Sequence, residues 1–154
     1  MKLKIAAVGR LRAGPEAELV SDYLTRFEKT GRALGFGPVH LQEVEAKRGG
    51  MAAEAELLEK AVTACNPLCV LDERGKTLSS PEFAVLLGRW RDQGQAPAII
   101  IGGADGIDQG LRARADVAIS FGKMVWPHLL VRVMLAEQLY RAASILAKMP
   151  YHRE

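Results

Sequence analysis

Apolar residues along this chain alternate between short runs and longer segments with helical spacing. The short runs, rich in β-branched residues, predict five strands: Leu3–Val8, Val39–Val44, Leu68–Leu71, Ala98–Ile101 and Val117–Ser120. The longer segments predict five helices: Pro15–Thr30, Met51–Ala64, Pro81–Gln93, Asp108–Ala113 and Leu129–Lys148. Ser79 or Ser80 with Glu82 predicts a capping box at the third helix. This alternation indicates an α/β fold, with a mostly parallel sheet and helices on both faces.

Composition narrows the class of protein further. The 154 residues fit a single domain, residues 1–154, with enough apolar residues for a stable core. The net charge of +3 permits a nucleic-acid partner without requiring one. No segment approaches the roughly 20 apolar residues of a membrane span, and the first strand is too short for a signal-peptide core. Cys65 and Cys69 lack metal-site spacing, so we expect reduced thiols, no metal and a cytoplasmic protein.

The turns that follow Leu71, Ile101 and Ser120 attract attention, because parallel sheets bind ligands at the carboxyl ends of their strands. The first of them, Asp72–Lys76, mixes charges with a glycine, as a solvated turn would. The run Gly102–Gly106 allows a sharp turn and a close approach to a ligand, although a plain tight turn explains it equally well. Its spacing matches neither a dinucleotide fingerprint nor a P-loop. The run Phe121–His128 is apolar but irregular, which suits a planar heterocycle or, alternatively, a buried connector.

The last helix carries two kinds of surface. Glu137 and Arg141 lie on a polar stripe at the spacing of an ion pair. Arg132 lies on the opposite, apolar side, so it needs a carboxylate inside the domain, a pocket or an interface. The remaining apolar arc is wider than one sheet face covers, which predicts packing against a second copy in a symmetric dimer.

The chain closes on Tyr151-His152-Arg153-Glu154, directly after Pro150. A proline stops a helix, so this tail places four polar side chains at the end of a rigid rod. A frayed, solvated end is the alternative, because order usually fades at a terminus.

Taken together, these motifs resemble the RlmH family of the SPOUT superfamily, bacterial enzymes that methylate a pseudouridine of large-subunit ribosomal RNA. The resemblance covers the whole chain, although Leu11–Pro15 and Gly31–Pro38 match only loosely. The matching segments, in order, are Lys47–Gly49, Leu71–Lys76, Ile100–Gly106, Ile119–Met124, Pro127-His128, Arg132, Glu137–Ala142 and Tyr151–Glu154.

The resemblance implies a C-terminal trefoil knot and a homodimer in which one subunit's tail completes the other's cofactor pocket. It implies S-adenosylmethionine as the methyl donor and N3 of a pseudouridine in helix 69 of 23S rRNA, within the assembled ribosome, as the target. The cofactor-binding residues it implies are Leu71, Gly102, Gly103, Phe121, Gly122, Lys123, Met124, Val125 and Trp126.

The same resemblance suggests catalytic roles. His152 is either a proton acceptor, since imidazoles exchange protons near neutral pH, or a group that positions RNA. His128 is a second candidate base, while Tyr151 and Arg153 would hold the base and a phosphate. Arg141 or Arg132 would stabilise charge on the imide oxygens, and Arg132 is also a candidate RNA contact.

Two other classes of protein remain open at this point. One is a different SPOUT enzyme, such as a tRNA ribose methyltransferase. The other is a non-catalytic nucleotide-binding or ribosome-binding module.

Overall fold

The computed structural model describes all 154 residues. The strands are β1 Leu3–Val8, β2 Val39–Val44, β3 Leu68–Thr77, β4 Ala98–Ile101 and β5 Val117–Ser120. The helices are α1 Pro15–Gly31, α2 Met51–Ala61, α3 Ser80–Asp92, α4 Gln109–Arg114 and α5 His128–Leu146, with one 3-10 turn at Arg32–Leu34. No helix is both long enough and apolar enough to cross a bilayer.

The five strands form one parallel sheet in the order β2-β1-β4-β3-β5. Helices α1, α3 and α5 pack on one face, around Phe27, Leu87 and Leu135. Helices α2 and α4 pack on the other face, through Leu58 and Leu111. The predicted α/β class, the parallel sheet and the placement of helices on both faces are therefore confirmed.

Strand β3 is longer than its apolar pattern predicted, and the difference bears on the ligand site. Its pairing with β5 shifts in register, so that Ile119 is the partner of Leu71 and again of Lys76. A Cβ on Gly75 would lie 2.6 Å from the Ala118 backbone, so glycine is needed where β3 touches β5. The segment Asp72–Gly75 that the pattern indicated as a solvated turn is instead an excursion held against β5.

The last helix ends before the expected position. The pattern predicted that α5 continues to Lys148 and that Pro150 stops it, but the helix ends at Leu146. Lys148 has a left-handed φ of 57°, and the N–H groups of Lys148 and Met149 bond back to Ile145 and Ser144. This is a Schellman arrangement with lysine where glycine is usual. The chain thus turns sharply two residues before the proline.

Of the smaller features, the start of α3 agrees with the pattern and the end of α2 differs from it. Ser79 and Glu82 form the predicted capping box of α3. Helix α2 is three residues shorter than predicted, because Val62 leaves the helical conformation. Both cysteines are free, and burial raises the pKa of Cys69 to about 12. No cluster of three or more His, Cys, Asp or Glu side chains has the arrangement of a metal site.

Candidate active site

A cleft of about 240 Å³ opens where β3, β4 and β5 end. Eight of the nine residues expected to bind a cofactor line it; the exception is Lys123, which is exposed. The eight are Leu71, Gly102, Gly103, Phe121, Gly122, Met124, Val125 and Trp126. Three turns that are distant in sequence meet here because the carboxyl ends of parallel strands share one edge of the sheet.

The turn after β4 forms the floor of this cleft and is built from backbone. The Gly106 N–H bonds to the Gly103 carbonyl at 3.0 Å, which closes a four-residue turn. A Cβ on Gly102 would lie 2.5 Å from the Gly106 carbonyl oxygen, so no side chain fits there. Gly106 itself has a φ of 86°, a region that L side chains rarely adopt. The glycines are therefore required by the geometry of the turn.

The loop between β5 and α5 forms the apolar wall. The Ser120 hydroxyl donates to the Gly122 carbonyl at 2.9 Å and accepts from the Gly122 N–H, which sets the start of the loop. Beyond it Met124 and Val125 are 72% and 82% exposed, and Trp126 is 40% exposed. Three large apolar side chains at the rim of one cleft indicate a surface that a ligand covers.

The excursion of β3 forms a third wall, and Asp72 organises it. The Asp72 carboxylate accepts from the Arg74 N–H at 2.8 Å, from the Arg74 side chain and from Arg112 on α4. Burial alone would raise the pKa of Asp72, but these hydrogen bonds outweigh burial and hold it below its ordinary value. Asp72 thus stays ionised and ties the excursion to α4.

Two further groups border the cleft. His128, the first residue of α5, lines it, and its Nε2 lies 3.5 Å from the position of a Cβ on Gly9. Glu54 of α2 does not line the cleft but lies against the glycine turn, with its Oε2 2.8 Å from the position of a Cβ on Gly103. Its Oε2 is buried and has no hydrogen-bond partner. A carboxylate without a neutralising partner in this position favours a positively charged ligand.

Arg132 takes the internal partner that its position on the helix required. Its side chain is 1% exposed and bonds to Glu43 at 2.7 Å and to the carbonyls of Val8 and Gly9. Glu43 also accepts the Leu11 N–H. Arg132 therefore links α5 to the ends of β1 and β2 from inside the protein.

The tail folds back on α5 through a network of polar side chains. Glu137 Oε1 accepts from Arg141 at 2.6 Å and from the Tyr151 hydroxyl at 3.0 Å. The Arg141 guanidinium stacks over the Tyr151 ring and contacts His152 Nδ1 at 3.2 Å. Burial, followed by the hydrogen bond to Glu137, raises the pKa of Tyr151 well above its ordinary value. Arg153 is exposed.

The predicted catalytic residues therefore divide into two groups. His128 lines the cleft, whereas Arg141, Tyr151, His152 and Arg153 do not line the cleft of their own chain. The Glu137 that holds the tail lines a second cavity of about 480 Å³, which shares Ile119, Phe121 and Gly122 with the cleft. The tail and the cleft are thus neighbours across one loop.

Sequence reasoning missed two residues of this site. The mixed charges of Asp72–Lys76 are typical of a solvated turn, although a carboxylate directly after a buried strand also indicates a site at the edge of a sheet. Glu54 gave no signal, because it occupies an ordinary position on an amphipathic helix.

Comparison with known proteins agrees with this geometry. The family model described as "Predicted SPOUT methyltransferase" matches residues 1–152. Among solved structures, a probable methylase family protein from Haemophilus influenzae Rd KW20 superposes with a TM-score of 0.58 at 9% identity, covering 99% of this chain and 70% of that one. A probable methyltransferase from Bordetella pertussis Tohama I gives 0.54 at 15% identity, covering 92% and 93%. At these identities the structures support the fold alone.

The chain belongs to the SPOUT methyltransferase family. Its relatives within that family are close: ribosomal RNA large subunit methyltransferase H of Paracoccus denitrificans is 66% identical over 155 residues, covering all of both chains. The protein of the same name from Ruegeria pomeroyi is 66% identical over 99% of each chain. The resemblance to the RlmH family is confirmed, and with it the expectation of a methyltransferase that uses S-adenosylmethionine.

Proposed function

We propose that this chain acts as a homodimer that methylates N3 of a pseudouridine in helix 69 of 23S rRNA, in assembled cytoplasmic ribosomes. The observation that carries the proposal is the combination of a cleft built at three strand ends with a polar tail that does not reach it. Full-length relatives named as large-subunit rRNA methyltransferases support the substrate class.

The residues of the cleft fit S-adenosylmethionine. Met124, Val125 and Trp126 offer apolar surface to the adenine, and the backbone groups of the Gly102–Gly106 turn offer hydrogen bonds. The unneutralised Glu54 carboxylate lies behind the same turn, and it favours the positive charge of the sulfonium. A side chain at position 102 would lie 2.5 Å from the Gly106 carbonyl oxygen and would obstruct this floor, which explains why glycine is needed there.

The bound cofactor supplies an electrophilic methyl group, so the protein has to align the acceptor nitrogen and manage one proton. Alignment alone can be worth about 7–11 kcal/mol. The rigid turn at Gly102–Gly106 and the anchored loop after Ser120 provide fixed walls for that alignment. His128 is the imidazole nearest to this reaction volume within one chain.

The contact between Arg141 and His152 bears on the role of His152. A guanidinium only donates hydrogen bonds, so the 3.2 Å contact makes Nδ1 the acceptor and leaves the proton on Nε2. In this arrangement His152 is a hydrogen-bond donor and cannot take a proton at Nε2. Its Nε2 is buried without a partner, which is costly and suits a tail that finds its acceptor in another molecule. We therefore favour His152 as a group that binds an imide oxygen of the base.

The remaining tail residues follow from the same arrangement. Arg141 and Tyr151 hold the tail against Glu137, and the exposed Arg153 is free to contact a phosphate. A second copy docked on the cavity beside Glu137 would bring its tail to the shared Phe121–Gly122 wall. The dimer, and the trefoil knot implied by the family, are part of this proposal.

Mass spectrometry of 23S rRNA tests the target. Deleting the gene should leave an unmethylated pseudouridine in helix 69, and expressing this chain should restore the methyl group at N3. An intact modification after deletion, with loss of a methyl group elsewhere, would point to another SPOUT substrate. Calorimetry with S-adenosylmethionine separates both results from a non-catalytic ribosome-binding protein, which would show no uptake.

A further inference from the structure

The edge of the sheet that carries the cofactor cleft has a second half, formed by the ends of β1 and β2. The strand order places β1 beside β4 and β2 beyond β1, so the loop after β1 lies next to the glycine turn and the loop after β2 lies one strand further out. Val8 contacts the position of a Cβ on Gly103 at 3.1 Å, and Gly9 adjoins His128. The loop at residues 9–14 therefore borders the cleft, and the loop at residues 45–50 leads into α2, whose Glu54 lies 2.8 Å from the position of a Cβ on Gly103. Neither loop lines the cleft.

These two loops carry the excess positive charge of the protein. Arg10 and Arg12 lie in the first loop, and Lys47 and Arg48 in the second; all four are exposed and form no ion pair within the chain. Glu45 is the only carboxylate in either loop, so together they carry +3, the net charge of the whole chain. The rest of the sequence carries no net charge, so Arg10, Arg12, Lys47 and Arg48 form the main cationic surface of the protein, which we call the ledge.

The ledge is held in place from inside. Buried Arg132 binds the carbonyls of Val8 and Gly9 as well as Glu43, and Glu43 accepts the Leu11 N–H. This strut fixes the first loop beside β2 and leaves its arginines pointing away from the core. A charged surface that is already ordered binds a polyanion at a lower entropic cost than a mobile one.

The helices that follow add uncapped donors. Helix α1 begins after Gly14 and helix α2 after Gly50, and neither N-cap makes a side-chain hydrogen bond. The first turn of α1 carries Glu16 and Glu18, which disfavour a phosphate there. At the start of α2 a Cβ on Gly49 or Gly50 would meet nothing within 4 Å, so the first-turn N–H groups of this helix are the ones that suit phosphate oxygens. The chemistry of the ledge thus matches a phosphodiester backbone.

We propose that this ledge, Arg10, Arg12, Lys47 and Arg48, docks the phosphate backbone of the substrate RNA and places the target base over the cleft. The inference rests on the proposed function for the identity of the RNA. Contacts of this kind position a substrate without reading its sequence, and their strength falls with salt. The pseudouridine would then be recognised in the cleft and by the tail, separately from the ledge.

Two double charge reversals test the ledge: Arg10→Glu with Arg12→Glu, and Lys47→Glu with Arg48→Glu. Co-sedimentation of the full-length protein with unmethylated ribosomes, across a salt series, measures binding independently of catalysis. Each variant should weaken binding at least about tenfold and reduce the slope of log affinity against log salt by about one per lost phosphate contact. Affinity for S-adenosylmethionine, measured by calorimetry, should stay within about twofold, since no substituted residue lines the cleft.

Lys29→Glu with Arg32→Glu is the matched control, because it makes the same change of charge at exposed, unpaired positions on the opposite edge. Arg10→Lys with Arg12→Lys should retain most of the binding, since the charge is kept. Ledge variants that bind like the control, or a loss of binding that does not depend on salt, would overturn the proposal. If the wild-type protein binds ribosomes but transfers no methyl group, and the ledge variants lose that binding, the proposed function is wrong and the ledge proposal remains.

Discussion

The cleft and the tail are built from different materials. The cleft consists of backbone turns, glycines and apolar side chains, all supplied by one chain. The tail is a network of charged and aromatic side chains around Glu137, with the buried Nε2 of His152 left unpaired. The first can hold a ligand by itself, whereas Arg141 and the tail residues of the second line neither the cleft nor the cavity beside Glu137. We infer that donor binding belongs to the single chain and that turnover needs the tail of another copy.

Removing residues 151–154 should have the largest effect on activity. Methylation should fall below detection, because Tyr151 and His152 are the residues of the Glu137 network that lie beyond the end of α5, and the deletion removes both. The cleft should keep its shape, since none of the deleted residues lines it. Methyl transfer to ribosomes and sedimentation analysis of the truncated protein measure the two properties.

Truncation of Glu154 alone is the control, because it is exposed and makes no hydrogen bond or ion pair. Full activity without residues 151–154 would mean that the cleft alone catalyses the reaction. Unfolding of the truncated protein would mean that the tail is structural. Sedimentation tests this outcome because the Tyr151 ring packs on Tyr140, with the ring centroids 4.5 Å apart.

His152→Ala separates the tail's chemistry from its packing. Loss of one well-placed donor typically lowers kcat by about 10²–10³-fold, so we expect a loss of that size with little change in cofactor affinity. His152→Gln keeps an N–H donor without a basic nitrogen and should recover part of the rate. If the glutamine variant is as slow as the alanine variant, then His152 acts as a base and its contact with Arg141 breaks during turnover.

Gly102→Ala tests the other half of the comparison. A methyl group 2.5 Å from the Gly106 carbonyl forces the turn to move, and overpacking of this kind typically costs about 1–3 kcal/mol. We expect roughly tenfold weaker binding of S-adenosylmethionine by calorimetry. Gly88→Ala is the control, since a Cβ there meets nothing closer than 3.8 Å and helical alanine adds stability. Equal affinity in the two variants would mean that the turn does not contact the cofactor.

Much of this cleft follows from the sequence, and the reasons are physical. Runs of four to six apolar residues predict the strands, and parallel strands place their carboxyl ends on one edge of the sheet. The Gly102–Gly106 and Phe121–His128 runs therefore indicate two walls of the cleft from the sequence alone. The resemblance to a known family, and not periodicity, supplied the cofactor and the tail's importance.

What escaped prediction depends on contacts between distant residues. Arg132 required a partner, but only the folded chain shows that Glu43, 89 residues away, supplies it. Asp72 looked like a solvated turn because its partner Arg112 lies on another helix. The end of α5 was predicted too late, since a lysine in the left-handed region has no signature in the sequence.

Asp72→Asn should weaken the wall formed by the β3 excursion. Asp72 is ionised with a pKa below its ordinary value, so its contribution to stability is full above its unfolded pKa and is lost as the pH falls through the folded pKa. We expect about 1 kcal/mol lower stability than wild type at pH 7, with the difference vanishing in strong acid. Denaturant unfolding across pH measures this. Glu73→Gln is the control, and a pH-independent difference would mean that Asp72 acts through shape alone.

Lys148→Gly should have the smallest effect and bears on how the tail is aimed. Lys148 holds a φ of 57° at the turn after α5, a conformation that is unfavourable for any residue with a Cβ. Glycine removes that strain but loses more chain entropy on folding, so we expect a gain of about 0.5 kcal/mol in the free energy of unfolding. Lys148→Ala keeps the strain and should show no gain. Because the turn is unchanged, methylation should persist in both variants. A slower glycine variant would show that turnover needs a rigidly held tail.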